Sequence, residues 1–322
     1  MHTAAFIEQV SAYAANQEPF FFMIDFECRQ PIVVPLQEAA NQGIFYAIRG
    51  KTNAFNLSSN TKPVLQHAGV DQQQFEKQFQ QVQTELRNGN SYLLNLTVKT
   101  PVESNAGLPE IFAAASAPYK LLFKNQLVVF SPECFIQINE NEVFTFPMKG
   151  TIDATIPGAA DLLMRNKKEE WEHNTVVDLM RNDLSMIATG IRVDRYRYLE
   201  KIKTARGELL QTSSAISGRL AANWRGNLGQ LLMQLLPAGS ISGAPKKKTT
   251  QIIQNTETSE RGYYTGIFGI FDGTTLDSAV AIRFIENDNG QLYYRSGAGI
   301  TADSKLEEEY AELIQKIYVP IV

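Results

Sequence analysis

The stretch that decides the fold reads YKLLFKNQLVVFSPECFIQINENEVFTF and runs from Tyr119 to Phe146. It is built from short runs of aromatic and β-branched residues, a composition typical of β-strands. The runs are Tyr119 to Phe123, Leu127 to Phe130, Phe135 to Ile138 and Val143 to Phe146. Turn-forming residues such as Lys124-Asn125-Gln126 and Glu140-Asn141 lie between them and are typical of hairpins. The stretch therefore predicts an antiparallel meander.

Further strands are predicted on both sides of this stretch by the same kind of pattern. They are Phe20 to Phe26, Ile44 to Arg49, Gly266 to Phe271, Ala279 to Ile285 and Leu292 to Ser296. No helix is predicted before Asp71. Strands that are separated by isolated long helices, without a strand-helix-strand rhythm, favour an α+β fold over a doubly wound parallel sheet.

Helices are predicted by apolar residues that recur at helical spacing. The clearest begins at Asp71, which forms a capping box with Gln74, and ends before Gly89. Its apolar face comprises Phe75, Phe79, Val82 and Leu86. Further helices are predicted at about Ala159 to Thr189, at Leu228 to Leu236, from Pro245 in a first-turn position, and at about Leu306 to Ile317.

Composition excludes several classes of partner. The 322 residues are 44% apolar and carry 30 basic and 34 acidic side chains, for a net charge of -4. This balance offers no basic surface for nucleic acid or anionic lipid. The first residues lack the pattern of a signal peptide, so we expect a cytoplasmic protein with no membrane partner and with reduced thiols at Cys28 and Cys134. We expect one domain over residues 1–322, with a β-rich part at about 1–70 and a motif-bearing part at about 71–322.

Two pairs of glutamates stand at i, i+3 spacing, Glu169 with Glu172 and Glu309 with Glu312. Each pair shares one face of a predicted helix. If the two faces met, their carboxylate oxygens would suit Mg²⁺ and leave positions for water and an anionic substrate. The alternative is that both are ordinary solvated helix faces.

Three other features are candidates for binding an anion. Residues 238–246 form a Gly/Ser loop that contains Ser240 and leads into a helix N-terminus, where free amides attract anions. Gly297 and Gly299 end a strand and let a ligand approach the backbone. Arg283 follows a buried-looking strand and suits a carboxylate. Each feature also has a simpler interpretation. Residues 238–246 could be an ordinary loop, the two glycines a β-bulge, and Arg283 one partner of a surface salt bridge.

Lys149 lies in Pro147-Met148-Lys149-Gly150-Thr151, directly after an apolar strand. A lysine in an apolar pocket loses its proton more readily and becomes a nucleophile. Most lysines are surface charges, and position alone does not distinguish the two cases.

Together these segments resemble the chorismate-utilising enzymes over roughly residues 120 to 318. The resemblance rests on Ser131-Pro132-Glu133-Cys134-Phe135, Pro147 to Thr151, Glu172-His173 with Val177 to Asp183, Pro237 to Lys246, Arg261 to Gly266, Ala281-Ile282-Arg283, and Gly297 to Ser304 running on to Glu312. It implies a large antiparallel β-sandwich with helices packed outside, and chorismate bound with Mg²⁺ between these layers.

The resemblance also implies roles for individual residues. Glu172 and Glu312 are expected to bind Mg²⁺ directly, and Glu169 and Glu309 to hold metal-bound waters. The expected substrate contacts are Arg283, Tyr264, Ser240, Thr151 and the amides of Gly297, Ala298 and Gly299.

Lys149 places the chain nearest to the aminodeoxychorismate synthase component I branch of that family, because related branches carry alanine at this position. In that branch the lysine attacks ring C2, and the glutamate of the Ser-Pro-Glu motif, here Glu133, protonates the leaving hydroxyl. Two positions depart from the relatives. Gln211 replaces the histidine of a His-x-x-Ser motif, and Leu93 stands where isochorismate synthases place a water-activating lysine.

The resemblance further implies that ammonia comes from a separate glutamine amidotransferase, because no glutaminase-like motif surrounds Cys28 or Cys134. A distinct aminodeoxychorismate lyase is expected to act next. The alternatives are anthranilate synthase component I and a non-catalytic chorismate-binding subunit. Feedback control by tryptophan is not expected, because the chain before about residue 70 lacks the Leu-Leu-Glu-Ser segment of larger relatives.

Overall fold

A computed structural model of the chain describes residues 1–204 and 207–321. In these residues two antiparallel sheets pack face to face, and helices lie against them. The predicted α+β sandwich is confirmed. Among the described residues, no helix combines the length and the apolar character needed to cross a bilayer.

The strands are β1 (Phe20–Ile24), β2 (Ile32–Pro35), β3 (Ile44–Ile48), β4 (Lys51–Thr52), β5 (Leu65–Gln66), β6 (Leu94–Ser104), β7 (Tyr119–Phe123), β8 (Leu127–Ser131), β9 (Cys134–Asn139), β10 (Glu142–Thr145), β11 (Met148–Asp153), β12 (Thr189–Thr204), β13 (Gly207–Arg219), β14 (Ile267–Phe271), β15 (Leu276–Val280), β16 (Phe284–Asp288) and β17 (Gln291–Ile300). The first sheet has the order β11-β13-β10-β9-β15-β14-β1-β2, with β12 paired to β13. The second has the order β4-β3-β7-β8-β16-β17-β6-β5.

The helices are α1 (Thr3–Ala15), α2 (Gln72–Arg87), α3 (Leu108–Ala114), α4 (Ala159–Arg165), α5 (Lys167–Ser185), α6 (Leu228–Gln234), α7 (Gly239–Ser242), α8 (Lys246–Thr256) and α9 (Leu306–Gln315). Short 3₁₀ turns lie at Leu36–Glu38, Ala40–Gln42 and Trp224–Asn227. The predicted cap of α2 is confirmed, since the Asp71 side chain accepts from the Gln74 amide at 3.0 Å. Pro245 is the N-cap of α8 rather than a residue of its first turn.

The stretch from residue 119 to 146 forms the predicted strands but not a meander. The β7–β8 hairpin belongs to the second sheet, whereas the β9–β10 hairpin belongs to the first. The chain changes sheet at Pro132 and Glu133. Proline has no amide hydrogen and cannot continue a ladder, so the strand ends where Pro132 stands.

A second change of sheet lies beside the first. The single strand predicted at Ala279 to Ile285 is wrong, because β15 and β16 belong to different sheets. Between them Arg283 has a φ of 53°, a conformation that interrupts a strand. The amide of Val280 donates to the Glu133 carbonyl at 3.1 Å, and the amide of Phe130 donates to the Arg283 carbonyl at 3.0 Å. Glu133 and Arg283 therefore lie together where the sheets exchange strands, a region that we call the seam.

The sandwich core explains the continuous apolar run of β1. Phe21 and Met23 pack with residues of both sheets, such as Tyr119 and Phe268, between the layers. Phe20 and Phe22 face the other side and share a core with α1. A strand that is covered on both faces is apolar at every position.

Several elements differ from the sequence predictions. Helix α1 was not predicted, although Phe6, Val10 and Ala14 recur every four residues and are buried. The helix predicted from Ala159 to Thr189 is interrupted at Asn166, whose side chain accepts from the Glu169 amide and caps α5. The long β12–β13 hairpin then follows, and it was also missed.

Candidate active site

A cleft opens at the seam and consists of an outer and an inner chamber with volumes of about 710 Å³ and 300 Å³. The outer chamber is lined by residues that include Lys149, Gly150, Thr151, Lys168, Glu169, Glu172, Gln211, Arg283, Gly299, Glu309, Glu312, Lys316 and Tyr318. The inner chamber is lined by residues that include Leu93, Asn95, Glu133, Met148, Lys149, Ser240, Tyr264, Arg283, Gly297, Gly299, Glu312 and Lys316. Because they share wall residues, the two chambers form one site.

Lys149 lies where the chambers meet. Its Nζ is 3.2 Å from Glu172 Oε2, and a Cβ placed on Gly299 would lie 3.6 Å from that Nζ. Gly150, at a φ of 74°, follows it in an irregularity of the β11–β13 pairing. A bulge of this kind redirects a side chain. Lys149 therefore points into the cleft, although its surroundings are charged rather than apolar.

Glu133 lies in the inner chamber at the first change of sheet. Its Oε1 accepts a hydrogen bond from the Ser240 hydroxyl at 2.5 Å. Burial raises the pKa of Glu133, and this effect exceeds the opposing effects of the Ser240 hydrogen bond and of Lys149, Lys316 and Arg283. A carboxyl group that retains its proton more tightly is suited to act as a general acid.

The residue before Ser240 is held by an ion pair. Asp183 Oδ2 lies 2.8 Å from Lys246 Nζ, and Asp183 also receives a backbone hydrogen bond from Gly239. A Cβ on Gly239 would lie 2.5 Å from this carboxylate, so only glycine allows the close approach. The Gly239 amide, which belonged to the predicted anion loop, is therefore occupied by the protein's own carboxylate.

One wall of the cleft carries positive charge. Arg283 lies with its guanidinium 5.4 Å from the centre of the Tyr318 ring, and Tyr264 lines the inner chamber nearby. Burial raises the pKa of Tyr264 to about 12. Lys316 Nζ donates to the Gly297 carbonyl at 2.6 Å and pairs with Glu312 Oε1 at 2.6 Å. An anionic substrate would find two cationic side chains here.

The glycine pair lies on the cleft face of β17, opposite Asn95 and Thr97 of β6. The Gly297 carbonyl bonds to Lys316 instead of β6. Since alternate residues of an antiparallel strand direct their peptide groups to opposite sides, the amides of Gly297 and Gly299 face away from β6 and that of Ala298 faces towards it. The Ala298 side chain is fully buried in the core. Ala298 was a predicted substrate contact, but only the two glycines line the cleft.

The two glutamate pairs face each other across the outer chamber, on α5 and α9. Burial raises the pKa of Glu169, and the charges of Glu172 and Glu312 raise it further. Burial likewise raises the pKa of Glu309, and the negative charges of Glu312 and Glu172 raise it further. Carboxylates that disfavour each other's ionisation form a region that attracts a cation.

The inner glutamates are already paired with lysines. Glu172 pairs with Lys149, and Glu312 pairs with Lys316. Burial acts to raise the pKa of Glu312, but Lys316 together with Lys149 and Lys168 outweighs it, and the pKa is lowered. In the part of the chain that the structure describes, no three acidic, histidine or cysteine side chains are grouped so as to hold a metal ion. The four glutamates thus line one chamber and offer hard oxygen donors, the type that Mg²⁺ prefers, but they do not form a preassembled set of metal ligands.

Three further residues complete the lining. Thr151 lies at the exposed rim of both chambers, and the buried Gln211 lines both. Sequence reasoning missed Lys316. It lies four residues after Glu312, on the same face of α9, and this spacing was the available signal.

The sequence pattern of the chorismate binding enzyme family matches residues 36–321. The chain belongs to this family. A PabA-like protein of Haemophilus influenzae is 53% identical over 98% of this chain and 96% of its own length. Aminodeoxychorismate synthase component 1 of Klebsiella aerogenes is 30% identical over 78% of this chain and 57% of its own length. The chain thus spans little more than half of that second relative.

Solved structures of chorismate-utilising enzymes share the fold. Anthranilate synthase component I from Streptococcus pneumoniae superposes with a TM-score of 0.67 at 26% identity, covering 82% of this chain and 60% of its own. The menaquinone-specific isochorismate synthase MenF from Escherichia coli superposes with a TM-score of 0.73 at 16% identity, covering 97% and 80%. The resemblance of the sequence to chorismate-utilising enzymes is confirmed.

A buried ion pair behind the inner chamber makes a prediction about stability. Arg261 bonds both carboxylate oxygens of Glu257, at 2.6 and 2.8 Å, and the two side chains are 1% and 6% exposed. Arg261→Met leaves the Glu257 charge buried and unpaired, so we expect the free energy of unfolding to fall by about 3–5 kcal/mol. Urea denaturation measures this change.

The matched control is Arg29→Met, which breaks the Arg29–Glu260 pair at the surface. That pair is as short, at 2.8 Å, but its side chains are 59% and 70% exposed. We expect little change there, because exposed ion pairs contribute little to stability. Equal effects of the two substitutions would contradict the prediction.

Proposed function

We propose that this protein is an aminodeoxychorismate synthase component I, which converts chorismate and ammonia to 4-amino-4-deoxychorismate through a covalent adduct on Lys149. The observation that carries the proposal is the meeting of Lys149, Glu133 and Arg283 in one cleft at the seam. An amine, a carboxyl group with a raised pKa and a guanidinium supply a nucleophile, an acid and an anion contact.

In the first half of the reaction, the lone pair of Lys149 Nζ forms a bond to ring C2. Both ring double bonds shift, C1=C2 to C1=C6 and C5=C6 to C4=C5, and the C4–O bond breaks. Glu133 gives its proton to the departing hydroxyl, which leaves as water. Hydroxide is a poor leaving group, so this proton transfer contributes about 10²–10⁴-fold to the rate. Glu133 is then a carboxylate.

In the second half, ammonia attacks C4, both ring double bonds shift back to their original positions, and the bond between C2 and Lys149 Nζ breaks. The lysine leaves as a neutral amine. The new C4 ammonium group gives one proton to Glu133, which restores the acid. In sum, chorismate and ammonia give 4-amino-4-deoxychorismate and water. Because two successive displacements take place, the configuration at C4 is retained.

The anionic groups of chorismate are assigned to the positive wall. Arg283, Lys316, Tyr264 and the amides of Gly297 and Gly299 line this part of the cleft and suit carboxylate oxygens. Thr151 is proposed as a contact at the rim. The Ser240 hydroxyl is committed to Glu133, which fits a role in holding that acid.

Magnesium is proposed as the cofactor. Glu172 and Glu312 would hold it directly and Glu169 and Glu309 through water, since these four carboxylates lie on facing helices. When bound, Mg²⁺ would neutralise charge on the ring carboxylate of the substrate. Two observations support this fit. The side chains offer hard oxygen donors, and neighbouring glutamates help to raise the pKa values of Glu169 and Glu309, a repulsion that a bound cation would relieve.

Gln211 favours a product that keeps its enolpyruvyl group. An amide cannot donate and regain a proton as histidine does, so Gln211 offers no acid or base for eliminating pyruvate. The apolar Leu93 in the inner chamber likewise offers no group to activate water. These residues disfavour anthranilate and isochorismate as products.

The ammonia is proposed to come from a separate glutamine amidotransferase, and a lyase is proposed to act on the product. The relatives named component 1 support a partner subunit by that name. The test is an assay with glutamine as nitrogen source, with and without a purified amidotransferase subunit. Glutamine-dependent turnover that appears only with that subunit is expected.

The activity is tested directly by incubating the purified protein with chorismate, ammonium and Mg²⁺ and identifying the product by mass. The expected product is 4-amino-4-deoxychorismate. Anthranilate, isochorismate or unchanged chorismate would each refute the proposal, and unchanged chorismate with measurable binding would indicate a non-catalytic subunit.

A further inference from the structure

The side-chain carbonyl of Asn95 is a buried acceptor that has no partner. Asn95 lies on β6 and lines the inner chamber beside Glu133 and Lys149. Its Oδ1 is inaccessible to solvent, and no donor within the described residues reaches it. Buried polar atoms are nearly always paired, so an orphan acceptor in a substrate cavity indicates a donor that arrives with a ligand.

The backbone that carries this side chain is held by a buried ion pair. Arg261 Nη2 donates to the main-chain carbonyl of Asn95 at 2.6 Å, and Glu257 Oε1 accepts from the Thr97 main-chain amide at 2.9 Å. Opposite them, a Cβ on Gly297 would lie 2.3 Å from Asn95 Oδ1, so glycine makes room for the amide. The buried ion pair thus fixes the β6 backbone at Asn95, and the missing Cβ at Gly297 gives the orphan oxygen its space, which favours a preorganised binding group.

We propose that Asn95 Oδ1 binds the ammonia that enters at C4, an inference that rests on the proposed function. Neutral ammonia has three N–H donors and one lone pair. An amide oxygen accepts one N–H and leaves the lone pair free to attack, whereas a carboxylate would favour ammonium, which has no lone pair.

The neighbouring side chains are less suited to hold neutral ammonia. Glu133 is a carboxylate after the first half and would favour ammonium, and Leu93, two residues before Asn95, is apolar. Gln211 also has an orphan buried atom, but it is Nε2, a donor that suits a substrate oxygen. Water formed from the C4 hydroxyl departs in the first half, and Asn95 then meets the incoming N–H. It takes no proton, which passes from the new C4 ammonium group to Glu133.

The test separates the two halves of the reaction. Asn95→Ala and the isosteric Asn95→Asp are compared with Asn139→Ala, an exposed asparagine at the end of β9. Two quantities are measured: the KM for ammonia at saturating chorismate, and the amount of Lys149 adduct formed without ammonia, seen by intact-protein mass as chorismate minus water. We expect Asn95→Ala to raise the KM for ammonia about tenfold, the effect of one lost hydrogen bond, with adduct formation and the KM for chorismate unchanged. We expect Asn95→Asp also to raise the KM for ammonia, because its carboxylate favours ammonium, which has no lone pair for the attack.

Each outcome decides the proposal. An unchanged KM for ammonia in Asn95→Asp, which keeps the size of the side chain, overturns it. A parallel loss of adduct and turnover also overturns it, because Asn95 would then serve chorismate or the fold. If the wild-type protein forms neither adduct nor product, the proposed function itself is refuted. If the wild type is active and only the Asn95 variants lose adduct formation, the proposed function stands and only the role of Asn95 is refuted.

Discussion

Lys149→Met is expected to form no covalent adduct with chorismate and to lower kcat/KM at physiological ammonia on the order of 10³-fold or more. The lysine supplies the bond to C2, and methionine matches its length without an amine. Lys149→Arg is expected to be equally inactive, because it keeps the charge beside Glu172 but is not a nucleophile. Intact-protein mass and steady-state rates measure both effects.

The matched control is Lys201→Met, the same substitution at an exposed lysine of β12 that pairs with Glu208. It is expected to keep both the adduct and the rate. Substantial activity in Lys149→Arg would show that charge alone suffices and would contradict the covalent route. Full activity in Lys149→Met would contradict any role for this amine.

Local pattern was enough to locate most strands but not to assign them to sheets. The four runs from residue 119 to 146 match β7 to β10 closely, because alternating and apolar runs reflect the burial of each strand. Their partners depend on contacts with distant segments. The pairing of β9 with β15 and of β8 with β16 brings together residues that lie more than a hundred positions apart. No local pattern contains that information.

The direction of site side chains was also beyond local pattern. Lys149 enters the cleft because Gly150 interrupts the β11–β13 register, and Ala298 leaves it because β17 alternates. In both cases the motif resemblance pointed to a segment that lines the cleft. It could not predict that Ser240 would bond to Glu133, or that Lys316 would complete the positive wall. These contacts arise only when α7 and α9 pack against the seam.

The seam itself connects fold and chemistry. Each change of sheet places a side chain of the candidate site where no neighbouring strand continues, so Glu133 and Arg283 project into a space between the layers. A continuous ladder would have covered the same backbone with another strand. The proposed acid and the proposed anion contact are thus positioned by the interruptions of the sandwich rather than by its regular strands.

Glu133→Gln is expected to lower turnover by about 10²–10⁴-fold, because glutamine cannot protonate the departing hydroxyl. Glutamine keeps the shape and can still accept from Ser240, so chorismate binding is expected to persist. Steady-state rates and a chorismate titration separate these effects. The Glu140→Gln control lies in the exposed β9–β10 turn and is expected to change neither.

The same substitution is expected to stabilise the fold, and its pH dependence identifies the cause. Burial raises the pKa of Glu133, so the folded protein binds this proton more tightly than the unfolded chain does. Ionisation therefore costs stability once the pH exceeds the ordinary glutamate pKa, and the cost is complete above the raised value. Glu133→Gln removes it, so the variant should unfold at higher urea than wild type at neutral pH, and the difference should vanish below the ordinary pKa. A variant that is less stable at neutral pH would show that the carboxylate is held by favourable contacts, and a proton-donating role for Glu133 would then be untenable.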